Sequence, residues 1–198
     1  MSSPLFDSLR AAIRDSGEPR VTAEQVLDAL GARAFGLGVI VVMAPVCLPM
    51  PPGVPTVAGV ILAIFAVQLI LGFRRPWLPL WVRRLSIERD KLLAGIDALE
   101  RRLKFVERVS RPRLLFLTGR FGARLIGIVL LVLAGVLILP IPFLGNLPPA
   151  IAASILAFAL AQRDGLIVIV GFGAAVAAVM FTWSLAAATA RWLYEFFN

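Results

Sequence analysis

The sequence has no histidine, one cysteine and one tyrosine in 198 residues, and only 16% of its side chains are charged. Without histidine there is no imidazole to act as a general base, to sense pH near neutrality or to ligate a metal. The lone Cys47 lies inside an apolar run and has no second cysteine for a disulfide or a metal site, so it reads as a small packed residue. Carboxylates are scarce where catalysis would need them: after Glu107 only Asp164 and Glu195 remain, at the ends of apolar runs rather than as a pair. No G-x-S-x-G, nucleotide loop or metal-ligand cluster is present. The expectation is a non-enzymatic protein with no catalytic residue, no metal site and no cofactor.

What the chain does have is apolar side chain. At 60% hydrophobic it holds more than one soluble domain of this length could hide, so the expected solvent is the bilayer. Residues 2–16 mix Asp7, Arg10, Arg14 and Asp15 with Leu5, Phe6, Leu9 and Ile13, an amphipathic helical pattern rather than the unbroken core of an export signal. A turn at 17–20 precedes a capping box, Thr22 to Gln25, that opens a second short helix through Val26, Leu27 and Leu30.

The apolar runs 35–48 and 125–139 are each about fifteen residues, short of the roughly 20 that cross a ~30 Å hydrocarbon core. Each ends in a proline cluster, 48–55 and 139–149, where the helix must stop because proline lacks an amide donor and restricts the residue before it. A second run then leads to a glutamine, Gln68 or Gln162. The halves align at an offset of 91 through Gly36/Gly127 and the Leu-Pro-x-Pro segments, and at 94 through Pro55/Pro149 and Gln68/Gln162, which implies three extra residues in the second turn. Paired proline-broken helices fit a transport site built of irregular backbone away from lipid, and they fit equally well plain turns joining short helices near the interface.

Charge concentrates between the halves. From Arg74 to Arg124 there are fourteen Arg and Lys against five Asp and Glu, an excess of nine in a chain whose total is +8. The positive-inside tendency places this segment in the cytoplasm, and Trp77 and Trp81 among arginines look like an interfacial belt. Residues 86–109 read as a helix: Leu92, Ile96, Leu99, Leu103 and Val106 share a face, and Asp97/Arg101, Glu100/Lys104 and Glu107/Arg111 form i,i+4 pairs. The surplus is mostly arginine, suited to bidentate phosphate contacts. Candidate polyanion-binding residues are Arg74, Arg75, Arg83, Arg84, Arg101, Arg102, Lys104, Arg108, Arg111 and Arg113. The expected partners are membrane lipids with anionic headgroups, or nucleic acid without sequence specificity.

The last run, 166–190, is long enough to span, with small residues Gly171, Gly173, Ala174, Ala177 and Ala178 that allow close helix contact within the fold or in a homodimer. Arg191, Trp192 and Tyr194 supply a far-side anchor. Gln162-Arg163-Asp164-Gly165 reads as a helix stop, and Gln68, Asn146, Gln162, Arg163 and Asp164 form a possible polar site in the membrane. The predicted fold is all-α: a polytopic integral membrane protein with amphipathic cytoplasmic helices at 1–33, a membrane hairpin at 34–73, a basic cytoplasmic segment with an amphipathic helix at 74–122, a second hairpin at 123–163 and a C-terminal transmembrane helix at 164–198.

The succession Arg74-Arg-Pro-Trp-Leu-Pro79, Ile138-Leu-Pro-Ile-Pro142, Gly145-Asn146-Leu-Pro-Pro149 and Gln162-Arg-Asp-Gly165 resembles the ExoD family of exopolysaccharide-synthesis proteins across nearly the whole chain. The resemblance implies a multi-pass protein of the bacterial inner membrane needed for normal exopolysaccharide production, without an established catalytic site to transfer. Two function classes remain open: an accessory or regulatory protein whose basic cytoplasmic face binds polyanions, DNA included, and a carrier or flippase-like protein for a lipid-linked phosphate such as polyprenyl phosphate.

Overall fold

The computed structural model describes residues 20–22, 30, 33–48, 53–73, 75–77, 86–88, 90, 93, 118–139 and 145–197. They form β1 (Arg20–Thr22), α1 (Arg33–Val46), α2 (Val54–Ile70), β2 (Ser86–Glu88), α3 (Arg120–Ile138), α4 (Leu147–Gln162) and α5 (Gly165–Phe197). The architecture is helical. The expected helix at 2–16, all of the one at 22–30 but Thr22 and Leu30, most of the central helix and the proline clusters at 49–52 and 140–144 lie outside the described residues.

Two details correct the sequence reading. β1 and β2 pair antiparallel, Arg20 opposite Glu88 and Thr22 opposite Ser86, so the first three residues of the expected 86–109 helix are strand instead. The helical apolar repeat begins only at Leu92, and nothing before it favours a helix over a ladder. Helix α3 also starts five residues before the apolar run, at Arg120, and its 19 residues make it long enough to cross a membrane. Arginine at a helix end keeps its head in water while its stem lies on apolar surface, so Arg120 and Arg124 do not end the helix. The Gly165–Thr189 stretch of α5 is likewise long and apolar enough to cross. Helices α1, α2 and α4 are shorter, with 14, 17 and 16 residues.

Packing is reciprocal between the halves. Helix α1 lies mainly against α4, and α2 against α3, with α5 laid on α4. Both principal pairs are antiparallel. Gly36, near the start of α1, meets Ala157 and Ala161 near the end of α4, while Cys47, just past α1, reaches Ser154 earlier in α4. In the other pair Gly127 meets Ala66, Leu69 and Ile70, and Gly59 meets Ala134, Leu137 and Ile138. Between α1 and α2 the Phe35 and Phe65 rings meet edge to face, centroids 6.3 Å apart. Phe35, Val39, Met43, Leu62, Ile126, Leu130, Leu133, Leu137 and Leu156 are fully buried at the centre.

These contacts settle the register of the repeat. Adding 91 to Gly36, Ala157 less 91, and Ala161 less 91 gives Gly127, Ala66 and Ile70, the other half of the same contact. The helix stops obey the same offset: the Phe73 amide donates to the Gln68 carbonyl (3.0 Å), and the Asp164 amide donates to the Ala159 carbonyl (3.1 Å), in each case five residues back, the bond that closes a helix. In the packed molecule the counterpart of Gln68 is therefore Ala159, and the offset of 94 is a coincidence of identity. Helix caps and close backbone approaches fix register more strictly than a matching glutamine does.

The outside of the bundle is apolar. Val60, Ile64 and Val67 on α2, Ile128, Leu131 and Val132 on α3, and Val170, Val176, Met180 and Trp183 on α5 are exposed, more apolar surface than a soluble monomer normally shows to water. On α5, Gly171, Ala175 and Ala178 are buried, with Gly171 against Leu156 of α4, so much of its small-residue face is used within the chain; Gly173 and Ala177 remain exposed.

Candidate anion-binding site

The antiparallel pairing sorts the polar residues to two ends. One end carries the proline turns: Gly53 opens α2 with a φ of 104°, Asn146 opens α4, and Thr182 of α5 donates its hydroxyl to the Gly145 carbonyl at 3.1 Å. The opposite end gathers the start of α1, the end of α2, the start of α3 and the junction of α4 with α5. Prolines sit in the first turns of α2 and α4, where their missing N–H costs nothing. That leaves the helix C-termini, and the arginines, at the other end.

There a cavity of about 660 Å³ opens between the helices. Its floor is apolar, formed by Phe35, Leu69, Ala123 and Leu160; its rim carries Thr118, Gly119, Arg120, Arg124 and Arg163. Arg33 stands beside it, partly desolvated and within the field of Arg163. Helix α3 begins at this rim, at Arg120, directly after Gly119. The positive end of the α3 dipole and the two arginines beside it attract an anion.

The backbone at the rim is specialised. After α2 the chain turns at Gly72, φ 80°, the left-handed conformation that glycine adopts without cost. The position 91 residues later is Arg163, φ 56°, which caps α4 and is the one non-glycine residue with positive φ among the described residues. Such a conformation costs a side-chain-bearing residue about 1–2 kcal/mol. The arginine partners obey the same offset, since Arg33 corresponds to Arg124. Arg124 lies over Gly72, its Nη2 3.4 Å from where a Cβ would stand there, and Arg33 lies by Arg163.

The residues expected to form a membrane polar site divide accordingly. Asp164 is buried and caps α5, its Oδ1 accepting from the Leu166 amide at 2.9 Å, so the expected helix stop is real and this carboxylate is structural. Gln68 holds the chain after α2: its Nε2 donates to the Trp77 carbonyl (3.2 Å) and its Oε1 accepts from the Trp77 amide (2.5 Å). Gln162 closes α4, and Asn146 is at the proline end, away from the other four. Only Arg163 of that set faces the cavity. Of the ten basic residues expected on the cytoplasmic segment, Arg75 is described and exposed; Arg74, Arg83, Arg84, Arg101, Arg102, Lys104, Arg108, Arg111 and Arg113 lie outside the described residues. Sequence reasoning missed Arg33, Arg120 and Arg124 as site residues. The signal was there, in the offset of 91 that joins Arg33 to Arg124.

Comparison with known proteins agrees with the resemblance. The model of the family "Exopolysaccharide synthesis, ExoD" matches residues 5–184. This chain belongs to the ExoD family. It is 32% identical over 182 residues to an uncharacterized protein, slr1875, of Synechocystis sp., covering 91% of this chain and 82% of that one. It is 31% identical over 183 residues to Protein ExoD of Rhizobium meliloti, covering 89% and 75%. No solved structure matches. Membership in the ExoD family implies involvement in exopolysaccharide synthesis, and with two helices able to cross a membrane it suggests a membrane protein.

Proposed function

We propose that this ExoD-family chain is a non-enzymatic inner-membrane protein that serves exopolysaccharide synthesis by holding a phosphate group at its arginine-lined, cytoplasmic end. The observation that carries the reading is the cavity itself, a recess of about 660 Å³ rimmed by Arg120, Arg124 and Arg163, with Arg33 beside it. Guanidinium groups grip phosphate oxygens in pairs, and the positive end of the α3 dipole adds to the attraction. A recess favours a compact headgroup over a DNA duplex, which would need an extended surface stripe.

The path of the chain supports the orientation. The start of α1, both described flanks of the basic 74–117 segment and the α4–α5 junction all lie at the arginine end, the side that the positive-inside tendency assigns to the cytoplasm. Helix α5 then carries the C-terminus to the other side.

The test is binding of inorganic phosphate and pyrophosphate to the full chain in non-ionic detergent. Arg124→Gln and Arg163→Gln should each weaken binding by roughly tenfold or more, about the worth of one charge-assisted hydrogen-bonded contact. Unchanged affinity in both variants would sink the reading. In cells, Arg163→Gly should accumulate normally and lower exopolysaccharide output; full output would separate the cavity from the physiological role.

A further inference from the structure

We infer that the ligand is an amphiphile, a phosphate carried on a long apolar chain, with the phosphate at Arg124 and Arg163 and the chain in a groove between α3 and α5. The inference rests on the anion-binding reading above and deepens it by naming the ligand class.

The groove holds about 520 Å³ and its walls are apolar side chains throughout. On α3 the wall is Leu125, Ile128 and Val132; on α5 it is Phe172, Val176 and Met180. These positions recur every three or four residues, so each wall is one continuous stripe, and the span from Phe172 to Met180 is about 12 Å along the helix axis. The stripe on α3 does not begin at Ile128. Four residues before Ile128 is Arg124, and four before that Arg120, so a row of exposed residues on α3 runs from the arginines at the cavity rim to Ile128 and Val132 in the groove wall.

A free phosphate would leave the groove unused, and a plain hydrocarbon would leave the arginines unused. The arrangement matches a molecule charged at one end and apolar along its length. A groove of 12 Å accepts the first two or three isoprene units of a prenyl chain, or about ten carbons of an acyl chain, at the usual extended rise of a hydrocarbon, and the remainder would run on between lipid tails. Arg163 fits the same purpose. At a position where the equivalent residue in the other half is Gly72, an arginine is kept in a strained conformation, which is the pattern found where a side chain is retained for what it binds rather than for the fold.

The experiment uses the full chain in non-ionic detergent with three probes: inorganic phosphate, farnesyl phosphate and farnesol. Farnesyl phosphate should bind at least about 100-fold more tightly than inorganic phosphate, because burying even a few methylenes is worth that much, and more tightly than farnesol. Val132→Trp and Val176→Trp fill the groove from exposed positions, 52% and 61% accessible, that tolerate bulk. Together they should weaken farnesyl phosphate by roughly tenfold or more, the worth of about two methylenes, and leave inorganic phosphate unchanged. Photolabelling of the unaltered chain by farnesyl phosphate with a diazirine at its chain end should mark α3 and α5 around Val132 and Val176. Equal affinity for the two phosphates, or labelling spread evenly onto α2, would overturn the groove while leaving the anion site standing. Farnesol binding as well as farnesyl phosphate would overturn the part played by the arginines in holding this ligand. Failure of both phosphates to bind would remove the anion site and the amphiphile with it.

Discussion

The two halves of the bundle repeat at a constant offset, and they differ where the repeat would be expected to be most faithful. Where the first half turns out of α2 on Gly72, the second turns out of α4 on Arg163, in the same left-handed conformation. The first solution is free of strain and chemically silent; the second is strained and carries a charge. A second contrast concerns closeness. A side chain at Gly36 would collide with the Ala157 carbonyl, whereas one at Gly127 would stand 3.0 Å from the equivalent Ala66 carbonyl. At these glycines the α1–α4 seam is tighter than the α2–α3 seam, although each seam joins one helix of each half.

Five changes break or sharpen that comparison. The largest expected effect is all-or-none. Leu48 and Leu139 are equivalent at the offset of 91, both exposed beside the proline turns, and cysteines placed there in a Cys47→Ala background should both resist a bulky, membrane-impermeant thiol reagent. The expectation comes from α5 used as a ruler: Thr182 is level with the second turn at Gly145, and the apolar helix continues to Ala190, eight residues or about 12 Å further. Rapid labelling of one site and not the other would end the equivalence of the halves.

Next, Gly36→Ala should destabilise by about 3 kcal/mol and Gly127→Ala by about 1 kcal/mol, the upper and lower ends of what overpacking costs. Thermal unfolding in detergent, followed by helical circular dichroism, measures both, and equal losses would remove the tight seam. Gly72→Ala should cost about 2 kcal/mol, since the new Cβ meets both a positive φ and the Arg124 guanidinium, 3.4 Å away. The mirror substitution, Arg163→Gly, should raise stability by about 1 kcal/mol while weakening phosphate binding by roughly tenfold or more. A melting temperature that falls would mean that Arg163 supports the fold and is not kept for a ligand. The smallest effect is at the cap of α5. Asp164→Ala should cost about 1 kcal/mol and Asp164→Asn only a few tenths, because asparagine still accepts from the Leu166 amide.

The helical class and the family were legible because the first rests on composition and the second on an order of proline-bearing segments along the chain. The helix stop at Arg163 and Asp164 was legible from Asp-Gly chemistry. Register was misread at Gln68 and Gln162, since a glutamine says nothing about which carbonyl its helix closes on. The strand at Ser86–Glu88 was missed because a three-residue ladder depends on a partner, β1, more than sixty residues away. The cavity was missed for a related reason: Arg33, Arg120, Arg124 and Arg163 come from two separate helices and one helix junction, and only the crossed pairing brings them to one end of the bundle.

That crossed pairing also governs how the protein is made. The surface that α1 must bury belongs to α4, and the surface of α2 belongs to α3, so the first hairpin leaves the ribosome with both of its principal partners still unsynthesised. More than a hundred residues separate Val46 from the end of α4, and at cellular elongation rates of ~5–20 residues per second the nascent hairpin waits on the order of 10 s. Throughout that interval the Gly36 face has only lipid or the insertion machinery to cover it. A chain cut short before Leu147 would lack the partner for that face permanently, which makes prematurely terminated chains natural targets for membrane proteolysis.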